Sequence, residues 1–290
     1  MCGLFGWLKF EGVLTDREIE MARSATAKLA HRGPDASGYW SHRGVFMAHQ
    51  RLKILDLSEN AAQPFKSDDN RYILTYNGEI YNYIELREEL KQLGFVFTTE
   101  SDTEVFLKSY QAWGIEAFER FEGMFACAIH DNQTDTHILV RDHLGQKPLY
   151  YFEHGQELVY ASELRALLAL ECLDWSIDRE NFTRYLANSY YVWDTSPIKG
   201  VKKLLPGCFV EFKNGRTQLK RYWDSVPGDN QLDLTLDEAS EQFTDLFDRN
   251  CQISMRSDVP YGVLLSGGVD SSLILQACHK HNPNITAYSV

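Results

Sequence analysis

Residues 261–281 have the sequence YGVLLSGGVDSSLILQACHKH, which predicts a strand, a glycine-containing turn and a helix in succession. Tyr261–Leu265 is nearly continuous in apolar residues, as is typical of strands buried in parallel sheets. With a helix over Ser271–His281 and a second strand over Ile285–Val290, the stretch predicts a βαβ unit. Two strands and one helix cannot bury both faces of a sheet, so we expect this unit to be incomplete, either as a fragment or because another chain completes it.

The turn SGGVDSS at residues 266–272 is predicted to bind phosphate. Its small residues let the backbone approach an anion, and the N–H groups at the start of the helix can bind it. No lysine follows the glycines, so the turn is not a Walker A loop. The alternative is a Gly-Gly turn that Asp270 or Ser271 caps and that binds nothing.

Mixed strands and helices precede this unit and predict an α+β domain up to about residue 222. The predicted strands are Val45–His49, Arg71–Tyr76, Phe125–His130, His137–Arg141, Leu149–Phe152 and Leu158–Ser162. The predicted helices are Thr15–Leu29, Ile84–Leu93 and Asp102–Trp113. We expect a domain over residues 2–222, a polar linker over 223–234 and a second domain over 235–290, which opens with the capping-box pattern Thr235–Glu238.

The composition predicts a folded protein of the cytoplasm: the 290 residues are 44% hydrophobic and 13% aromatic. A net charge of −12 without a basic stripe argues against nucleic acid or an anionic membrane as a partner. No apolar stretch approaches the roughly 18 residues of a membrane helix, and the N-terminus has no basic leader of the signal-peptide type. Six cysteines without paired spacing predict free thiols in a reducing compartment and no metal site.

Cys2 follows the initiator methionine, which is readily removed before a small residue. Removal would leave Cys2 with a free α-amino group of reference pKa about 7.7–8.0, close enough to neutral to act as a base. One residue would then supply both nucleophile and general base. The alternative is a small buried apolar residue.

Spaced motifs accompany Cys2 in a fixed order. They are MCGLFG (1–6), HRGPD (31–35), HQRL (49–52), NGEIYN (77–82), SDTE (101–104) and RDHLG (141–145). Together they resemble the class II glutamine amidotransferases, which are N-terminal-nucleophile enzymes with an αββα sandwich fold. The turn at 266–272 resembles the pyrophosphate loop of N-type ATP pyrophosphatases. The two in this order resemble the glutamine-hydrolysing asparagine synthetases, and imply an αββα sandwich followed by the beginning of an α/β parallel-sheet domain of the adenine nucleotide α-hydrolase type.

The resemblance assigns a role to each site residue in the first domain. It implies that Cys2 attacks the side-chain amide of glutamine and that Asn77 and Gly78 form the oxyanion hole. Arg51 would bind the α-carboxylate of glutamine, and Glu79 and Asp102 its ammonium group. The pocket would also be lined by the backbone of Leu52, Lys53, Ile54 and Leu55.

These residues also have structural interpretations. Asn77-Gly78 is a common hairpin turn pair, Arg51 could form a surface ion pair, and Asp102 could cap the helix that follows it. We interpret His31 and His143 as structural, Arg32–Asp35 as a loop that frames the nucleophile, and Arg141–Tyr151 as a scaffold.

In the second domain the resemblance implies an ATP site with Mg²⁺ on the phosphates. Its residues would be Leu265, Ser266, Gly267, Gly268, Asp270 and Ser271. There the β-carboxylate of aspartate would be adenylated, and ammonia arriving through an internal tunnel would displace AMP. The other nucleotide and aspartate segments of the family lie beyond residue 290, so we expect this chain to hydrolyse glutamine without completing the ligase reaction.

Other functions stay open at this point. A related amidotransferase could feed ammonia to another acceptor, as in polysaccharide or secondary-metabolite assembly. Sugar-phosphate and phosphoribosyl amidotransferases share the N-terminal motifs but not SGGVDSS. A truncated chain could also be a non-catalytic glutamine-binding or interaction protein, and retention of Met1 would favour that alternative. The sequence does not decide between a monomer and a homo-oligomer.

Overall fold

The computed structural model describes residues 1–226 and 233–289. They divide into two compact units, which are described separately here. The first comprises Met1–Lys53 and Ser58–Ser225, and the second comprises Ile54–Leu57 and the described residues from Val226 onwards. The predicted linker at 223–234 falls largely on residues 227–232, which lie outside the described residues.

The first unit contains twelve strands and six α-helices within its described residues. The strands are β1 (Gly3–Lys9), β2 (Ala36–His42), β3 (Val45–Arg51), β4 (Phe65–Lys66), β5 (Tyr72–Ile80), β6 (Gly123–Asp131), β7 (Thr136–Arg141), β8 (Tyr150–His154), β9 (Glu157–Ala161), β10 (Val201–Lys203), β11 (Cys208–Lys213) and β12 (Arg216–Arg221). The helices are α1 (Asp16–Ala27), α2 (Tyr83–Gln92), α3 (Asp102–Trp113), α4 (Ala117–Arg120), α5 (Leu164–Leu167) and α6 (Arg179–Asn188).

Two six-stranded sheets form the middle of this unit, in the orders β10-β8-β9-β1-β3-β2 and β12-β11-β7-β6-β5-β4. Leu4 and Met47 of the first sheet share a core with Ala126 and Leu139 of the second. Helices α1 and α5 pack on the outer face of the first sheet, and α2, α3 and α4 on the outer face of the second. The predicted αββα sandwich is therefore confirmed.

Successive side chains of β5 point to opposite faces of its sheet, so the strand contributes to two core layers. Leu74 and Tyr76 pack under α3, while Ile73 lies in the core between the sheets. Residues two apart along a strand share a face, so Thr75, Asn77 and Glu79 lie on the same side as Ile73. This places the predicted oxyanion and ammonium residues at one end of the inter-sheet layer.

The predicted elements are largely confirmed, with some corrections. Helix α3 has the predicted bounds, and the other two helices differ from prediction by up to two residues at either end. The hairpin interpretation of Asn77-Gly78 is wrong: both residues lie inside β5, opposite Ala126 and Phe125 of β6. Strands β1, β2, β4, β10, β11 and β12 and helices α4, α5 and α6 were not predicted.

The second unit contains helix α7 (Leu236–Ser254), strand β13 (Gly262–Leu264), helix α8 (Val269–His281) and strand β14 (Thr286–Tyr288). The predicted capping box is present, because Thr235 and Glu238 satisfy each other's backbone N–H groups. Strands β13 and β14 pair in parallel, which confirms the βαβ unit. The expected burial of the first strand is not seen, since Leu264 is 77% exposed among the described residues.

Candidate active site

The Cys2 thiol lies where β1 begins, beside the end of β3. Gly3 pairs with Gln50, and the Leu52 N–H donates to Cys2 Sγ over 3.3 Å. Burial raises the pKa of the thiol, and the bond from Leu52 only partly opposes this. The sulfur is therefore protonated at neutral pH and needs a base before it can attack a substrate.

The N-terminal amine has the opposite shift. Burial lowers the pKa of the Met1 amine, and the charges of Lys147 and Arg32 lower it further. An amine with a lowered pKa is more readily present in the neutral form, which can accept a proton. In the sequence this amine belongs to Met1, one residue before the thiol.

The loop that carries HRGPD holds the backbone around Cys2. Arg32 Nε donates to the Cys2 carbonyl over 2.8 Å, and the same guanidinium donates to Glu163 over 2.9 Å. A Cβ on Gly33 would lie 2.2 Å from the Gln50 carbonyl oxygen, so only glycine fits there. The Asp35 carboxylate accepts from the Lys53 N–H over 2.9 Å, which fixes the segment after β3.

Asn77 presents a buried amide with unused hydrogen-bonding capacity. The residue is only 1% exposed, and its Nδ2 has no hydrogen-bond partner among the described residues. A Cβ on the adjacent Gly78 would lie 2.3 Å from the Met124 carbonyl oxygen, so the close pairing of β5 with β6 requires glycine. A buried donor without a partner is costly, and it is common where a ligand completes the bond.

Arg51 and Asp102 are both buried. Arg51 is 5% exposed and donates to the Ser58 carbonyl over 2.9 Å, so the surface ion-pair interpretation is wrong. The Asp102 carboxylate accepts from the Tyr76 hydroxyl over 2.7 Å and from the Ile80 N–H over 3.0 Å. Burial nevertheless raises the pKa of Asp102.

The cap of α3 is Ser101 and not Asp102. The Ser101 hydroxyl accepts from the Thr103 N–H over 3.1 Å, and Asp102 is the first helical residue. Asp102 is therefore not needed as the helix cap, and its carboxylate lies against Tyr76 and Ile80 of β5.

The pKa of Glu79 is also raised. Burial, followed by the charge of Asp102, raises it to about 7, and the charge of Lys147 opposes the rise. Two interacting carboxyl groups in a buried site favour the binding of a cation.

The structure brings most of the predicted glutamine residues together. The charges of Asp102 and Arg51 act on the Cys2 thiol, and Glu79 interacts with the N-terminal amine. The segment 52–55 is divided, however. Leu52 contacts the thiol and Lys53 bonds to Asp35, whereas Ile54 and Leu55 belong to the second unit, where the Ile54 carbonyl accepts from the Asp258 N–H over 3.0 Å.

The predicted phosphate turn lies between β13 and α8. Gly267 has φ +79°, and no atom lies within 4 Å of where its Cβ would be. Helix α8 begins at Val269, two residues earlier than predicted, and its cap residue Gly268 makes no side-chain cap bond. The Ser266 and Ser271 hydroxyls lie 3.0 Å apart across the turn. Because no side chain caps the start of α8, its first-turn N–H groups are suited to bind a phosphate group.

The described residues contain no group of three or more His, Cys, Asp or Glu side chains that could hold a metal ion. Along the same residues, no helix is both long and apolar enough to cross a membrane.

Sequence reasoning missed the residues that support the site. Asp142 is fully buried and accepts backbone N–H bonds from Phe125, Leu144, Gln146 and Lys147. Lys147 is 6% exposed, and its charge acts on both the N-terminal amine and Glu79. Asp142 and Lys147 both lie within the predicted scaffold segment Arg141–Tyr151. The feature of the sequence that could have identified them is a charged residue in a segment otherwise interpreted as structural. Glu163, which anchors Arg32, had no signal of its own.

The two histidines that were interpreted as structural have structural partners. His31 Nε2 lies 3.1 Å from Glu163 Oε1. The ring of His143 packs edge-on against Phe125, Tyr222 and Trp223. All six cysteines are free, which agrees with the thiols that the sequence predicts.

Comparisons with known proteins give two family matches. Residues 1–223 match the glutamine amidotransferase domain, and residues 242–290 match asparagine synthase. Asparagine synthetase [glutamine-hydrolyzing] 1 of Bacillus subtilis is 36% identical over 296 residues, which cover 100% of this chain and 46% of that protein. Asparagine synthetase B of Escherichia coli is 36% identical over 295 residues, 97% of this chain and 45% of that protein. The chain thus spans about half the length of these relatives.

Solved structures show the same fold at low identity. A glutamine phosphoribosylpyrophosphate amidotransferase from B. subtilis matches with a TM-score of 0.55 at 18% identity, over 99% of this chain and 65% of that one. The allosteric regulatory enzyme of purine biosynthesis matches with a TM-score of 0.58, also at 18% identity and with the same coverage. Because the domain model covers more than half of the chain, and the order of the two matches is that predicted from the motifs, the chain belongs to the glutamine amidotransferase family, in the branch that resembles the glutamine-hydrolysing asparagine synthetases.

Proposed function

We propose that the first domain, residues 2–222, hydrolyses glutamine to glutamate and ammonia. The observation that carries the proposal is the buried Asn77 amide, whose Nδ2 has no hydrogen-bond partner among the described residues. It lies near the start of β1, because the carbonyl of the preceding Tyr76 contacts His49 Nε2 and His49 pairs with Leu4. An N–H donor that is shielded from water and has no partner in the resting protein can stabilise a negative charge that develops only during the reaction. Cys2, Asn77 and Gly78 are the proposed catalytic residues.

The chemistry needs a base, because burial raises the pKa of the Cys2 thiol. Once Met1 is removed, the neutral α-amine of Cys2 takes the thiol proton, and the sulfur attacks the amide carbon of glutamine. The oxyanion accepts bonds from the Asn77 amide and the Gly78 N–H, and its collapse releases ammonia with the proton held by the amine. Water then hydrolyses the thioester to give glutamate and restore the thiol.

Substrate binding is proposed to use opposite charges at the two ends of the amino-acid group. Buried Arg51 can form a two-bond pair with the α-carboxylate. Glu79 and Asp102 form an acidic pair for the ammonium group, and Leu52 and Lys53 contribute backbone beside the thiol. Ile54 and Leu55 are proposed as further pocket residues from the family resemblance.

In the whole protein we propose that ammonia aminates an ATP-activated carboxylate, that of aspartate, to form asparagine in the cytoplasm. The asparagine synthase match and the relatives named above support this acceptor. Residues 223–234 would be the linker and 235–290 the start of the synthetase domain. The nucleotide would be held by Leu265, Ser266, Gly267, Gly268, Asp270 and Ser271, and it would supply the adenylyl group with Mg²⁺ on its phosphates.

The glutaminase can be tested by covalent labelling. An electrophilic glutamine analogue, with a diazoketone in place of the side-chain amide, should label Cys2 of the processed chain, and glutamine should protect it. Cys172 is the control, because it is an exposed free thiol. Equal labelling of Cys172 and Cys2, or no protection by glutamine, would contradict the proposal.

The acceptor needs a separate test, since one relative of 32% identity, from Gibberella zeae, is named an amidase. We expect the full-length protein to form asparagine and pyrophosphate from aspartate, glutamine and ATP, and residues 1–290 alone to form none. Ammonia transfer to a different carboxylate, with aspartate inert, would favour an amidotransferase with another acceptor.

A further inference from the structure

Lys147 is a buried cation that the proposed reaction does not yet use. It is 6% exposed, although lysine is rarely buried without a paired charge. Within residues 1–226 and 233–289, no acceptor for its ammonium group lies within hydrogen-bond or ion-pair distance. Nearby negative charges oppose the lowering of its pKa by burial, and the charge of Glu79 is the largest of them.

The backbone of Lys147 is fixed at both of its polar groups. Its N–H donates to Asp142 over 3.0 Å, and its carbonyl accepts from Arg141 Nε over 2.7 Å. Asp142 also accepts from the Phe125 N–H over 3.1 Å, and Phe125 is the residue that pairs with Gly78. The segment is thereby fixed to the strand next to Glu79, and the position of Lys147 does not depend on its side chain.

The other cations of the site are already engaged. Arg32 donates to the Cys2 carbonyl and to Glu163. Arg51 donates to the Ser58 carbonyl and is the proposed partner of the substrate carboxylate. Lys147 is the remaining candidate for the acidic pair.

Several charged and titratable groups surround Glu79 and Lys147. Asp102 and the N-terminal amine act on Glu79, and the two tyrosines Tyr76 and Tyr81 interact with it. The groups that act on Lys147 are Glu79, Arg32, Cys2 and Asp142, and Glu79 is the strongest attraction among them. When both are ionised, Glu79 and Asp102 together carry two negative charges, and the positive charge of Lys147 offsets one of them. The remaining negative charge matches the single positive charge of an ammonium group.

We propose that Lys147 is a positioning residue that keeps Glu79 ionised, so that Glu79 can bind the ammonium group of glutamine. The inference rests on the proposed glutaminase function and adds Lys147 to the residues that determine its substrate specificity. Without Lys147, Glu79 and Asp102 would repel each other with one counter-charge fewer, and Glu79 would take up a proton at a higher pH. Its hydrogen-bonding oxygens would remain, but the charge that attracts the ammonium group would be lost.

The size of the effect follows from titration. The pKa of Glu79 is about 7 with Lys147 present. If loss of Lys147 raises that pKa by about one unit, the ionised fraction at pH 6.5 falls by nearly tenfold, whereas at pH 8.5 it falls by less than about twofold. The affinity for glutamine should follow these fractions.

Calorimetric titration of glutamine into the Cys2→Ala chain between pH 6 and pH 8.5 tests the proposal without turnover. We expect the further change Lys147→Met to weaken binding by about tenfold at pH 6.5 and by less than about twofold at pH 8.5. Lys147→Arg should restore most of the affinity, because it keeps the charge. The matched ligand is 4-carbamoylbutanoate, which lacks the α-ammonium group and should show no such pH-dependent loss.

A loss of affinity that is equal at every pH, or equal for both ligands, would overturn the proposal and show that Lys147 only packs. The melting temperatures of all variants identify a folding defect, and Lys147→Arg then decides whether charge or packing matters. If the Cys2→Ala chain binds no glutamine at any pH, the proposed function itself is contradicted and this inference with it. Normal glutamine binding with no effect of Lys147→Met contradicts the inference alone.

Discussion

Replacement of Asn77 by alanine should separate catalysis from stability. The side chain is 1% exposed and its Nδ2 has no partner among the described residues. Such an unpaired buried donor costs the folded protein about 1–3 kcal/mol, so its removal offsets the packing that is lost with the side chain. We expect the free energy of unfolding to change by less than about 1 kcal/mol. Loss of one oxyanion donor should lower kcat by about 10²–10³, which is about 2.7–4 kcal/mol of transition-state stabilisation.

The assay is glutamate release under saturating glutamine, with urea unfolding of the same samples. The matched control is Thr75→Val, because Thr75 lies two residues earlier on the same face of β5 and is also fully buried. We expect Thr75→Val to keep kcat within about twofold. A decrease in kcat of less than about fivefold for Asn77→Ala would refute the reasoning. A decrease in its free energy of unfolding of about 3 kcal/mol or more would also refute it.

Three further predictions concern the groups around this amide. Asp142→Asn should lower the free energy of unfolding by about 3 kcal/mol or more in urea, since the buried carboxylate accepts four backbone N–H bonds. Arg51→Lys should raise KM for glutamine about tenfold or more with kcat retained, because lysine cannot make the two-bond pair with a carboxylate. KM of the parent chain should rise as pH falls through about 7, where Glu79 takes up a proton, and Glu79→Gln should abolish that dependence.

Each of these has a contrary result. Unchanged urea stability of Asp142→Asn would show that the four bonds are replaceable. An equal loss in kcat for Arg51→Lys would place Arg51 in the chemical step and not in binding. A KM that stays flat between pH 6 and pH 8 in the parent would contradict the ionisation of Glu79 near neutral pH.

Local chemistry made part of the fold predictable. The bounds of α3 and the capping box at Thr235–Glu238 depend on neighbouring residues, and both were predicted correctly. Asn77-Gly78 has the chemistry of a turn, but pairing with β6 keeps it extended, and that pairing joins residues about 50 positions apart. Propensity within a short window cannot reveal such a contact.

The candidate site shows the same division. Cys2, Arg51, Asn77 and Asp102 were singled out from their motifs, because the residue type carries the chemistry, and their roles remain predictions. Lys147 was not, since its burial depends on the bonds that Asp142 makes to Phe125 and to its own loop. Its proposed role depends on the distances between charged groups in the folded chain, and these distances cannot be read from the sequence.

The central claim is that the N-terminal thiol hydrolyses glutamine, and the most direct test measures glutamate released by the chain with Met1 removed, as confirmed by mass. The account predicts steady release that disappears in Cys2→Ala while the exposed-thiol control Cys172→Ala keeps it. Release that persists in Cys2→Ala, or that never occurs in the processed chain with or without the rest of the synthetase, would contradict it.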